Sequence, residues 1–215
     1  MGIDRKYVVL VILAGLVCLS WISCNSSGSA STTEPTPTDG PKLPEDFIAY
    51  EGKGFFSISY PDDWDREINY LEEYGNGTVS KAALGLDSID FKSLFFTGQF
   101  VDEDLYPFLQ VAVKLREPEE NHLGTIVDNE CARVKADNPS YKVLSREITY
   151  IRGLEIYIVR ERKTNETGDH TWKYTTGFYL TDDCVWCVVC GVEAVAYDEY
   201  DEVFDSIIRS FQPLN

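Results

Sequence analysis

Six cysteines, two histidines and 36 acidic side chains are the groups from which this 215-residue chain could build chemistry. Three of the cysteines stand together in Cys184-Val-Trp-Cys187-Val-Val-Cys190, and Cys131 lies upstream. Four thiolates are enough for zinc or an iron–sulfur cluster. The residues between them argue against a metal, because Val185, Trp186, Val188 and Val189 favour an extended chain over a loop that curls around an ion. In a strand Cys184 and Cys190 share a face about 20 Å apart while Cys187 points the other way. No metal and no cofactor are therefore expected. Cysteines three residues apart on a strand lie about 10 Å apart, beyond the roughly 7 Å limit of a disulfide. Cys131 can bridge to one of Cys184, Cys187 and Cys190 if the compartment is oxidising; the alternative is four inert buried thiols.

Other catalytic signals are thin. The sequence contains no Gly-x-Ser-x-Gly, His-Glu-x-x-His, Walker or dinucleotide-binding glycine pattern. A cysteine nucleophile needs an exposed, electropositive site, and the strand cysteines read as buried in an acidic domain. His122 precedes a helix as a surface or capping residue, and His170 follows Gly168-Asp169 in a solvated loop. The acid groups Asp62/Asp63/Asp65, Asp102/Glu103/Asp104 and Asp182/Asp183 lack the spacing of a twelve-residue calcium loop and read as turns. Asn76-Gly-Thr78 and Asn165-Glu-Thr167 match the N-glycosylation acceptor pattern, which matters only in a host that glycosylates exported proteins. The chain is expected not to be an enzyme.

Charge and address narrow the field further. Nineteen Lys and Arg against 36 Asp and Glu give a net charge of −17, which excludes a nucleic-acid partner because phosphate contacts need clustered cations. Arg5 and Lys6 precede the uncharged run Tyr7 to Ile22, which ends at Ser23-Cys24. Sixteen helical residues cover about 24 Å, short of a hydrocarbon core of about 30 Å, so residues 1–24 read as a signal peptide. Residues 25–44 are rich in Ser, Thr, Gly, Pro and acid and read as an extended tether reaching roughly 25 Å as a coil. Residues 45–215 form one domain by size.

The elements that position these groups follow from periodicity. Phe55 to Tyr60 alternates, with Phe56, Ile58 and Tyr60 on one face, and stops at Pro61. Further strands are expected over Ser93 to Val101, Phe108 to Leu115, Lys142 to Arg152, Leu154 to Lys163, Thr171 to Thr181 and Cys184 to Val192. Arg152-Gly153 joins two of them as a hairpin. The Cys184 strand is apolar on both faces, so it should be central and doubly covered. Leu123, Val127, Cys131 and Val134 fall at helical spacing, with Pro139 limiting the helix. Tyr197, Tyr200, Phe204, Ile207, Ile208 and Phe211 form the stripe of a C-terminal helix with acids in its first turn and Pro213 at its end. A third helix is a weaker expectation near Asp65 to Tyr74. The fold class is α+β, an antiparallel sheet flanked by helices.

Three segments carry resemblances to known families. Ser23-Cys24 and the polar tract after it resemble the lipobox of prokaryotic lipoproteins, in which Cys24 would be diacylated, with Trp21 departing from the usual Leu. Stable anchoring needs more than one acyl chain, and that modification supplies them. An uncleaved N-terminal helix or simple secretion are the alternatives. Gly54-Phe-Phe-Ser-Ile-Ser-Tyr-Pro-Asp-Asp-Trp64 and Tyr200 to Phe211 resemble the first strand and closing helix of the PsbP-like family. That resemblance covers roughly residues 47–213 and implies a PsbP-like α/β/α sandwich on an antiparallel sheet. It carries over no functional residue and no photosystem role. The signal, the spacer and the missing catalytic constellation lead to the expected function, a membrane-tethered extracytoplasmic, non-catalytic binding or assembly module of PsbP-like type, whose partner is an envelope protein. A small-molecule carrier or sensor with a pocket between sheet and helix is the alternative. Either would sit outside the cell membrane, held by lipid or an N-terminal anchor.

Overall fold

The computed structural model describes residues 43–69, 91–101, 104–117, 119–165 and 167–214. The signal peptide, Cys24, most of the tether, Asn76, Asp102 and Glu103 lie outside them. Ten strands and two helices are described: β1 Phe47–Gly52, β2 Phe56–Pro61, β3 Asp65–Asn69, β4 Lys92–Val101, β5 Asp104–Leu115, α1 Leu123–Asp137, β6 Lys142–Ile151, β7 Leu154–Thr164, β8 Thr171–Leu180, β9 Cys184–Glu193, α2 Tyr197–Ser210 and β10 Gln212–Pro213. Seven strands form one antiparallel sheet in the order β3-β4-β5-β9-β8-β7-β6. The strand carrying the three cysteines is thus its middle strand, and it is buried on both faces as its composition requires.

Helix α2 covers one face. Phe204, Ile207 and Ile208 are fully enclosed against Leu109, Val111, Ile156, Ile158, Tyr179 and Val188. Each such side chain contributes about 1.5–3 kcal/mol by leaving water. Helix α1 covers the other face, where Leu123, Ile126, Val127 and Cys131 pack on Ala112, Val159, Phe178, Val185 and Cys187. Helix–sheet–helix layering follows, as expected from the resemblance.

Of the small three-stranded sheet β1-β2-β10, only β2 follows from the sequence pattern. The inward face of β2 is the expected one, Phe56, Ile58 and Tyr60, and it joins the core on the α2 side. The helix expected near Asp65 to Tyr74 is corrected in its first half, where Asp65–Asn69 is strand paired with β4 at the sheet edge; residues 70–74 lie outside the described residues. Helix α2 ends at Ser210 with Phe211 as its C-cap, and Pro213 belongs to β10. The turn at Arg152-Gly153 has φ of 52° and 79°, the doubly left-handed geometry of a tight hairpin between right-twisted strands.

Candidate functional site

The four described cysteines are free, buried thiols divided between two layers. Cys184 and Cys190 face α2, whereas Cys187 faces α1 and shares its layer with Cys131. Strand alternation causes the division, and it leaves Cys187 as the one strand cysteine on Cys131's side. The bridge from Cys131 that the sequence allowed is not formed in this structure. Burial pushes the Cys187 and Cys190 thiols well above their ordinary range. Burial also raises Cys131, against a lowering hydrogen bond from Tyr141. A thiolate nucleophile is disfavoured at each of these positions.

Beneath α1 lies a polar cluster that the sequence did not single out. The Tyr141 hydroxyl reaches the Cys131 sulfur at 3.3 Å and hydrogen-bonds Glu161 Oε2. Thr176 Oγ1 donates to Glu161 Oε1 at 3.0 Å. Some of the Glu161 residue remains accessible to solvent, yet both carboxyl oxygens are held by hydroxyls. Burial pushes this carboxyl up, opposed by the two hydrogen bonds and the Lys163 charge. The arrangement keeps Glu161 protonated to higher pH than a surface glutamate.

Lys114 forms a second buried centre on the same face. Its residue is 4% exposed, its Nζ lies 2.5 Å from Glu120 and 3.9 Å from Glu130, and it stands 5.6 Å from the Phe91 ring centroid. Arg133 holds Glu130 at 2.8 Å. Paired in this way, the ammonium meets the condition for burying a charge.

On the α2 face Arg160 contacts Asp201 at 3.1 Å, Asp205 at 3.4 Å and Glu147 at 3.7 Å. Arg209 contacts Asp205 at 2.5 Å and Glu147 at 2.6 Å. Helix and sheet edge are thereby tied by charge. One position pair further along β7 the cross-strand register aligns Lys142, Arg162 and Lys173.

The remaining sequence candidates are dispersed. His122 occupies the N-cap of α1, is exposed, and makes no side-chain capping bond. His170 is exposed, with Nδ1 2.7 Å from Glu193. Asn165 is exposed, and its Oδ1 accepts the His170 backbone N–H at 3.2 Å. Asp62, Asp63, Asp182 and Asp183 are exposed turn residues. Among the described residues no group of three His, Cys, Asp or Glu converges as a metal site. Trp64, just after β2, is buried in the core.

A cleft of ≈ 190 Å³ is lined by Ile151, Arg152, Leu154, Ile156, Thr181, Phe211, Gln212 and Pro213. It lies where α2 gives way to β10 and has one aromatic wall. Ligand pockets usually run to about 300–1,000 Å³, so this cleft does not favour the carrier alternative. No described helix is long and apolar enough to cross a membrane.

No family model matches the chain, and no curated protein matches it. Solved structures do. Cyanobacterial PsbP from Synechocystis sp. PCC 6803 is similar with a TM-score of 0.53 at 12% identity, over 89% of this chain and 97% of that one. The Pseudomonas aeruginosa protein PA94 gives 0.49 at 10% identity, over 79% of this chain and 98% of that one. LpqN of Mycobacterium tuberculosis, described as involved in cell envelope biogenesis, gives 0.48 at 8% identity, over 84% and 90%. The fold of this chain is PsbP-like.

Proposed function

We propose that the protein is an extracytoplasmic, non-catalytic binding or assembly module, tethered to the outer face of the cell membrane through Cys24 and acting on an envelope protein. The observation that carries this reading is the order of parts at the N-terminus: a basic start, an uncharged run too short to span, Ser23-Cys24, and a polar tether before the domain. The PsbP-like fold is consistent with it. So is the chemistry of the domain, whose described cysteines are buried, with the thiols of Cys131, Cys187 and Cys190 raised, and whose histidines stand apart on the surface.

Mass spectrometry of the membrane-extracted protein tests the tether. A mature N-terminus at diacylated Cys24 is expected; an intact Met1, or a different mature terminus, overturns the lipid anchor. Crosslinking in intact cells followed by pull-down through the domain tests the role. One envelope protein should be enriched from the parent strain and lost when the domain is deleted behind the same tether. A saturable turnover by the purified protein that one point substitution abolishes would instead make it an enzyme.

A further inference from the structure

The chain is acidic overall, but the hairpin β6–β7 is not. Residues 142–163 hold six of the 19 basic side chains and three of the 36 acidic ones. Three cations line up across adjacent strands: Lys142 on β6 opposes Arg162 on β7, and Arg162 opposes Lys173 on β8. Directly opposed residues share a face, with β-carbons about 4.5–5.5 Å apart, and like charges so placed destabilise a sheet. The face is that of α2, since Arg160 two residues away meets Asp201 and Asp205 and Lys173 opposes the core residue Val192.

The acids of this face are already engaged. Asp201, Asp205 and Glu147 are held by Arg160 and Arg209. Among the described residues Asp198 alone reaches the row, 3.4 Å from Lys173 Nζ, and at 91% side-chain exposure it compensates weakly. Lys173 also stands 4.9 Å from the Tyr197 ring centroid, which fixes its ammonium over the helix start. Arg162 Nε is buried with no hydrogen-bond partner among the described residues. Orphaned buried donors are rare and costly, so one beside two further cations marks a place for an acceptor.

We infer that Lys142, Arg162 and Lys173 form a binding site for a phosphate-class oxyanion. The guanidinium fork suits two oxygens of a tetrahedral anion, and the flanking ammoniums act as point charges on the others. Three cations against Asp198 leave a charge that a phosphate dianion balances. The ligand is either a free phosphate or phosphate monoester, or the phosphodiester headgroup of a lipid. The site belongs to the domain and does not depend on the tether or on an envelope protein partner.

The test uses the full chain in nonionic detergent micelles, following the Arg162 Nε–H resonance by NMR. Inorganic phosphate is titrated at constant ionic strength against chloride, and short-chain phosphatidylglycerol against phosphatidylcholine. A saturable shift with phosphate identifies a free or monoester phosphate; one with phosphatidylglycerol alone identifies a headgroup; either supports the site. K142Q, on an exposed side chain, and R162Q, checked by circular dichroism, should each weaken binding about tenfold as one charge-assisted contact is lost. In R162Q, the resonances of Tyr197 and Thr164 report binding in place of the missing probe. No saturable shift with either ligand, or unchanged affinity in folded K142Q, overturns the inference.

Discussion

Ile208 of α2 rests directly on the bare backbone of Gly177 in β8: a β-carbon at Gly177 would lie 2.6 Å from Ile208 Cγ2 and 2.9 Å from the Tyr179 hydroxyl. That same hydroxyl donates to the Ile208 carbonyl at 2.5 Å. Helix and sheet meet more closely here than any residue with a side chain permits.

Gly177→Ala should therefore destabilise the domain by about 1–3 kcal/mol, the usual cost of forcing extra volume into a packed core. Urea unfolding checks this: a lower midpoint at unchanged slope is expected, and an unchanged midpoint would mean that α2 shifts freely over the sheet.

Ser210 ties the last turn of α2 to the small sheet. Its Oγ accepts the Ser59 N–H at 2.9 Å, and its hydroxyl hydrogen lies within reach of the Ile207 carbonyl at 2.6 Å. Ser210→Ala leaves a buried backbone donor unpaired, and thermal unfolding should show a loss of about 1–3 kcal/mol. A neutral substitution would show that water replaces the hydroxyl.

The raised carboxyl of Glu161 makes stability depend on pH in a defined direction. Its folded value lies above the unfolded 4.5, because burial favours the protonated form. The stabilisation is fully present below pH 4.5 and is lost as pH rises through the folded value. Glu161→Gln keeps an acceptor for Thr176 and removes the titration. Compared at pH 4, 6 and 8, about two units apart, the variant should gain on the parent as pH rises. A difference that stays flat would mean that Glu161 is ionised in the folded protein throughout.

Much of this architecture is legible in the chain. The alternating runs around Phe56, Val111 and Ile156 place themselves, and the stripe from Tyr197 to Phe211 places α2, because burial on one face imposes its period directly; the run around Val188 is apolar on both faces and places itself as the central strand. Strand β10 is two residues long and pairs with β2 from the far end of the sequence, so no local signal can announce it. By alternation Glu161 and Lys114 fall on the polar sides of their strands. Alternation marks which face a residue occupies, not whether a helix will cover that face, and α1 covers this one. The row Lys142, Arg162 and Lys173 depends on the register of three strands, which hydrophobic pattern fixes only loosely when the residues are charged.

The cysteines offer a direct check on redox state. Alkylation of the unfolded, unreduced protein, mapped by peptide mass spectrometry, should find Cys131, Cys184, Cys187 and Cys190 all modified, as four free thiols require. Protection of Cys131 together with Cys187 would reveal a bridge within the α1 layer. Protection of Cys184 or Cys190 instead would contradict the strand's facing. In the native protein all four should react slowly, since burial shields each sulfur and, at Cys131, Cys187 and Cys190, also suppresses the thiolate.

The pairing of β2 with both β1 and β10 sets an order of events during biosynthesis. Ser59 waits for Ser210, 151 positions later, and the second edge of β2 waits for Gln212. A chain synthesised from its N-terminus would thus leave Phe56 and Ile58 without that cover until residues 210–213 had been made. Proteolytic cleavage just after Ser210 would reopen that seam and unseat the small sheet, so the link between α2 and β10 is the joint at which this domain comes apart.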